Sequence, residues 1–362
     1  MMKDYRALIS KQRSAVMGLM ALLIIVYHAR WETTSWIFNN TVNRYGSIGV
    51  DVFVFVSGFG LAYALTKSHG FVSYINRRLS RILPAYYSFQ IVNMLVVLLL
   101  MALRIENKLM QPIEAILPIG VWFNFDSNRN LAYKWYIAAT IGFYAIAAVL
   151  YPVMRKSKYL YLTVFILLLI TVCFIPFIAD MSNMPFALQR LPALVMGLAV
   201  GVASLRKEPK YRKTSVGMLC LCAACAAGVI MIILEGHVSG KFLLKMTDAS
   251  SISLKQSLIA PLFTVFLAAL FELLVRIRLG SVTKCFVWLG KLSLELYLVH
   301  SIVSGVLEVT SMQKSIQVLL TVVISIPAAV MLKWLSGKVL IIWRKLIRHF
   351  ITENNDTMYL PK

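Results

Sequence analysis

Four of the ionisable side chains that fall inside largely apolar runs of this sequence could do chemistry. They are His28 in "LLIIVYHA", Asp51 in "YGSIGVDVFVFVSGFGLAYAL", and Glu295 and His300 in "GKLSLELYLVHSIV". An intramembrane charge persists when something pairs with it or uses it. Histidine takes and returns a proton near neutral pH, and a carboxylate beside it fixes the tautomer, so His28 with Asp51 would make a general base. A His–Asp pair that merely locks two helices explains the same residues, and two intramembrane histidines also suit axial haem ligation. In "SYINRRLSRILPAYY" (73–87), Arg77, Arg78 and Arg81 are closely spaced, and Arg77 and Arg81 share a helix face. Guanidinium forks suit phosphate, although basic residues on the cytoplasmic side of a membrane need no further role. Arg190 in "LQRLPALVMGLAVG" would contact an anionic substrate or snorkel. Trp135 and Tyr136 in "AYKWYIAATIGFY" fit an interfacial aromatic belt.

The elements that carry these residues follow from composition. Of 362 residues, 59% are hydrophobic and 14% charged, far less charge than a soluble protein of this size exposes. Apolar runs of bilayer-spanning length recur along the whole chain, which predicts an all-α, polytopic integral membrane protein and argues against a β-barrel. We read about ten spans: 14–30, 47–66, 84–103, 133–153, 158–178, 187–204, 215–234, 256–275, 285–306 and 316–336. Placing both termini in the cytoplasm puts more than twice as many Lys and Arg inside as outside. The net charge of +22 therefore reads as membrane topology and not as nucleic-acid binding.

Residues 1–350 form one transmembrane domain, and 351–362 a polar cytoplasmic tail expected to be disordered. The first apolar run lacks a signal-peptide cleavage site and reads as a retained helix. The five cysteines fall in apolar runs and read as packing residues, with no metal implied. "GLAVG" (197–201) is a small-xxx-small helix contact. His69, His237 and His349 fall in loops or the tail and receive no role. His28 and Asp51 then share the outer side on consecutive helices, with His300 in the outer half. The arginines of 77–81 face the cytoplasm, and helix rise from Arg13 to His28 is about 22 Å.

These segments, in order, resemble the acyltransferase-3 family of bacterial integral membrane O-acyltransferases. "LLIIVYH", "GSIGVDVFVFVSGF", "INRRLSRILPAYY", "KWYIAA", "RLPALVMG" and "GKLSLELYLVH" match its landmarks across nearly the whole chain. The resemblance implies transfer of an acyl group, usually acetyl, from cytoplasmic acyl-CoA to a hydroxyl of a cell-envelope or exported glycan in a bacterial inner membrane. It implies His28 as the catalytic residue, as base or covalent relay, with Asp51 and Ser57 in the signature. Arg77, Arg78 and Arg81 are implied for the donor. Ser57, Trp135, Tyr136, Arg190 and His300 would support the substrate or the structure. The family usually carries Arg or Lys eleven residues before the catalytic His; Met17 stands there, with Arg13 one turn away. Without an attached extracytoplasmic domain, the chain would be stand-alone or would need a separate partner for onward transfer. A flippase- or polymerase-type protein and an inactive sensing relative are the alternative readings.

Overall fold

A computed structural model describes residues 4–29, 36–68, 70–105, 118, 134–181, 185–206, 210–237, 248–310 and 312–357. His69 and residues 358–362 of the expected tail lie outside the described residues. Every described element is helical: α1 (Tyr5–His28), α2 (Trp36–Tyr45), α3 (Ile48–Thr66), α4 (Phe71–Ala102), α5 (Lys134–Lys156), α6 (Leu160–Met181), α7 (Pro185–Leu188), α8 (Leu191–Leu205), α9 (Lys210–His237), α10 (Asp248–Arg276), α11 (Gly280–Gly290), α12 (Ser293–Glu308) and α13 (Lys314–Thr357). Among the described residues, α1, α3, α4, α5, the α7–α8 run, α10 and α13 give seven helices long and apolar enough to cross a bilayer, or eight with the bent pair α11–α12. The apolar parts of α6 and α9 are shorter. The chain is an all-α, multi-pass membrane protein, as its apolar runs require.

Two departures from the expected spans shape the interior. The run 285–306 is broken: α11 and α12 meet at a 72° bend. An added Cβ on Gly290 would lie 1.8 Å from the Ser14 carbonyl oxygen, and one on Gly18 2.0 Å from that of Phe286. The two glycines thus let α11 press backbone to backbone on α1, and the chain turns away after Gly290. Lys333 of α13 donates a hydrogen bond to the Lys291 carbonyl at the bend. The second departure is α4, which starts at Phe71 and runs through Pro84, so the arginines lie within this helix and not before it. The helix α13 likewise continues to Thr357, into the segment expected as a disordered tail, since propagation needs only one further hydrogen bond per residue.

The spacing 197–201 packs as expected. Gly197 meets the Phe55 carbonyl and Gly201 that of Phe59, with Gly58 against Leu194, so α3 and α8 approach closely. Basic residues gather at one end of the bundle. There Arg6 of α1 reaches the Ala203 carbonyl of α8 at 3.0 Å. Lys11 pairs with Glu272 of α10 at 2.8 Å, and Thr66 of α3 bonds Tyr151 of α5 at 2.7 Å. His28 lies at the opposite end of α1.

Candidate active site

A cavity of about 230 Å³ opens among α1, α3, α4, α5 and the α11–α12 bend. Its cationic side chains are Arg13 from α1, Arg78 and Arg81 from α4, and Lys291 from the bend. Arg78 and Arg81 are three apart and so share a helix face. Arg77, the third arginine of the segment, is exposed and does not line the cavity. Among the described residues, buried Arg78 Nε has no hydrogen-bond partner. Met17 lines the cavity alongside Arg13, so one turn of α1 supplies a cation where Met17 cannot. The break also turns the N-terminus of α12, Ser293, into the cavity wall, where orphan backbone N–H groups favour an anion. Ser57 and Gly60 of α3 complete the wall; a Cβ on Gly60 would meet nothing within 4 Å.

Tyr136 of α5 and Tyr297 of α12 form another part of the wall, with ring centroids 4.6 Å apart. Both are buried in the bundle interior, so Tyr136 is not part of an interfacial belt. One turn further along α12, His300 lies with its ring 5.6 Å from that of Tyr297. His300 Nε2 is 3.3 Å from His28 Nδ1. His28 Nδ1 also lies 3.0 Å from the Ile24 carbonyl oxygen, and His300 Nδ1 3.2 Å from that of Leu296. A carbonyl oxygen only accepts, so the neutral tautomers that satisfy both carbonyls carry their protons on Nδ1. In these tautomers His300 Nε2 accepts from His28 Nδ1–H, and the lone pair of His28 lies on Nε2.

Asp51 is paired with another residue. It is fully buried, and its carboxylate has no hydrogen-bond partner among the described residues. Its partner is the Arg190 guanidinium, 3.5 Å away and 3% exposed. The reason is register. Gly46 lies against Tyr27 and Gly49 against Ile24, which sets Asp51 level with Leu22. His28 is six residues further out, about 9 Å along the axis. The pair predicted from consecutive helices is therefore replaced by two pairs, His28–His300 and Asp51–Arg190. Arg190 does not snorkel: it donates to the Phe186 carbonyl at 2.7 Å and lies over the Trp135 ring at 4.8 Å. Trp135 is thus the platform of a buried cation rather than part of a belt. Gln256 holds the start of α3 by bonding Ser47 Oγ at 2.7 Å and the Tyr45 carbonyl at 3.0 Å.

Lys291 and Tyr297 are site residues that the sequence alone does not single out. The signals available were a lysine inside an apolar run and a tyrosine three residues before His300. No curated protein and no solved structure matches the chain. Residues 17–337 match the acyltransferase-3 family, described as an acyltransferase domain. That match runs from the second half of α1, with His28, into α13, and the chain belongs to the acyltransferase-3 family of membrane acyltransferases.

Proposed function

We propose that this acyltransferase takes its acyl group, acetyl in the first instance, from acyl-CoA and delivers it to a hydroxyl of a cell-envelope or exported glycan. One observation carries the reading. A cavity with four cations, Arg13, Arg78, Arg81 and Lys291, abuts the Tyr136–Tyr297 pair, one helical turn from His300 and His28. The basic end of the bundle is the cytoplasmic end by the distribution of Lys and Arg, and acyl-CoA is cytoplasmic. At about 230 Å³ the cavity is smaller than a typical whole-ligand site. It suits the acyl-bearing arm, with the phosphates against the guanidinium groups and the nucleotide at the mouth beside exposed Arg81.

In this mechanism His28 Nε2 takes the proton of the acceptor hydroxyl as its oxygen attacks the thioester carbonyl. The imidazolium keeps its Nδ1–H on the Ile24 carbonyl and His300 Nε2. Collapse of the tetrahedral intermediate breaks the carbon–sulfur bond. The CoA thiolate leaves and receives the proton from His28, giving an ester and free CoA. His300 is a positioning residue, and Asp51 with Arg190 holds α3 against the α7–α8 turn behind the aromatic pair. The placement assumes a bacterial inner membrane.

The test compares O-acyl content of the surface glycan in wild type, a deletion strain, and the deletion strain complemented with His28→Ala. Loss on deletion that the variant does not restore supports the reading. Unchanged content on deletion refutes the glycan assignment.

A further inference from the structure

A second cavity, of about 250 Å³, lies at the basic end and shares no residue with the first. Arg6, Lys158 and Arg206 bring three cations to it, with Tyr159, Tyr161 and Leu162. The site is built. Arg206 Nη2 donates to the carbonyls of Met154 and Ser157, each at 2.7 Å, which fixes its guanidinium between α5, α6 and α8. Arg6 is held by Asp4 at 2.7 Å and by the Ala203 carbonyl at 3.0 Å. Lys158 lies over the Tyr159 ring at 5.5 Å. Asp4 offsets one of the three charges, so the group remains net cationic.

What continues from the cavity identifies its ligand. Leu162, a lining residue 56% exposed, begins a stripe down the outer face of α6 with Phe165 and Leu169, 61% and 53% exposed. These positions follow the helical repeat and form one exposed apolar face of α6, the kind of face a bilayer covers. A cation-lined recess at the head of an apolar stripe is complementary to an amphiphile with an anionic head. A soluble anion would use the recess and gain nothing from the stripe.

We propose that this cavity binds the headgroup of an anionic phospholipid, its phosphodiester against Arg6, Lys158 and Arg206 and its acyl chains along Leu162, Phe165 and Leu169. Basic recesses between membrane helices on the cytoplasmic side recognise such headgroups. The site is independent of the acyl-transfer reading.

The test uses the full chain purified in neutral detergent. Retention of phosphatidylglycerol is measured by native mass spectrometry and by the shift in thermal unfolding, against phosphatidylcholine, inorganic phosphate and glycerol phosphate. Wild type retains phosphatidylglycerol, and neither phosphatidylcholine nor the two soluble phosphates displaces it. Lys158→Gln weakens retention about fivefold, the contribution of one cation near an anionic lipid surface. Lys158→Gln with Arg206→Gln weakens it further. Lys338→Gln, on exposed α13 beside Trp334, leaves it unchanged. Equal retention of phosphatidylcholine, full displacement by inorganic phosphate, or wild-type retention by Lys158→Gln overturns the proposal. If Arg206→Gln misfolds because it releases the α5 carbonyls, the Lys158 variant decides alone.

Discussion

Removing either member of the Asp51–Arg190 pair should destabilise the protein, and by unequal amounts. Both side chains are buried, 3.5 Å apart, and breaking such a pair typically costs about 3–5 kcal/mol because a charge is left uncompensated. The two orphans differ. After Asp51→Leu, Arg190 keeps its bond to the Phe186 carbonyl and its place over Trp135. A desolvated cation–π contact contributes up to about 2 kcal/mol, so the loss should fall near the lower end of that range. After Arg190→Met, the Asp51 carboxylate has neither its cation nor any hydrogen bond, and the loss should approach the upper end. The double variant removes both charges, and an apolar replacement of similar volume is often close to neutral. It should recover most of the stability. The assay is a double-mutant cycle on thermal unfolding of purified protein, with acyl transfer measured per folded molecule. Losses that add within about 0.5 kcal/mol, the tolerance for independent sites, would refute the pair. So would Asp51→Asn unfolding like wild type while transfer collapses, since that outcome requires Asp51 to act on His28 directly.

Other consequences are as specific. His300→Leu removes an acceptor for the imidazolium and should lower transfer about 10- to 100-fold, the worth of one hydrogen bond to a charged group. His300→Gln, whose amide oxygen can accept, should restore part of it; equal loss in both contradicts the tautomer assignment. Gly60→Leu projects into open cavity, and should stabilise α3 by up to about 1 kcal/mol while cutting transfer at least tenfold. Transfer at the wild-type rate in that variant removes the cavity from the donor path. Gly18→Ala must displace the Phe286 carbonyl and should cost about 3 kcal/mol, the upper range for overpacking. Gly337→Ala, which meets nothing within 4 Å, should cost nothing, and thermal unfolding reads both. Arg78→Gln should raise the apparent KM for acyl-CoA about tenfold, the worth of a charge-assisted bond, and an unchanged KM contradicts the phosphate assignment.

The helices were legible because hydrocarbon demands long apolar runs, and the sequence has them throughout. The arginines and His28 were legible as isolated polar residues in or beside those runs. Partnership was not legible. Sequence adjacency suggested that His28 meets Asp51, but the glycine contacts of Gly46 and Gly49 set a register that keeps them about 9 Å apart along the axis. His300 and Arg190 come from helices far away in the chain, and only packing decides which polar group each one meets. Trp135 and Tyr136 carried the residue types of an interfacial belt, yet the buried Arg190 and Tyr297 draw them inward. The break at Lys291 had a sequence trace in Gly290, a residue type frequent in membrane helices generally. What bends the chain is the contact with Ser14 and Gly18.

The central claim is that His28 acts as the general base in acyl transfer from a donor held by the cation-lined cavity. It is tested most directly in proteoliposomes of the full chain given acetyl-CoA labelled in the acetyl group and a deacylated acceptor glycan. The account predicts labelled ester with wild type. It predicts at least a hundredfold less with His28→Ala, the loss expected for a general base, while both proteins bind acetyl-CoA equally. Transfer by His28→Ala at the wild-type rate would contradict it.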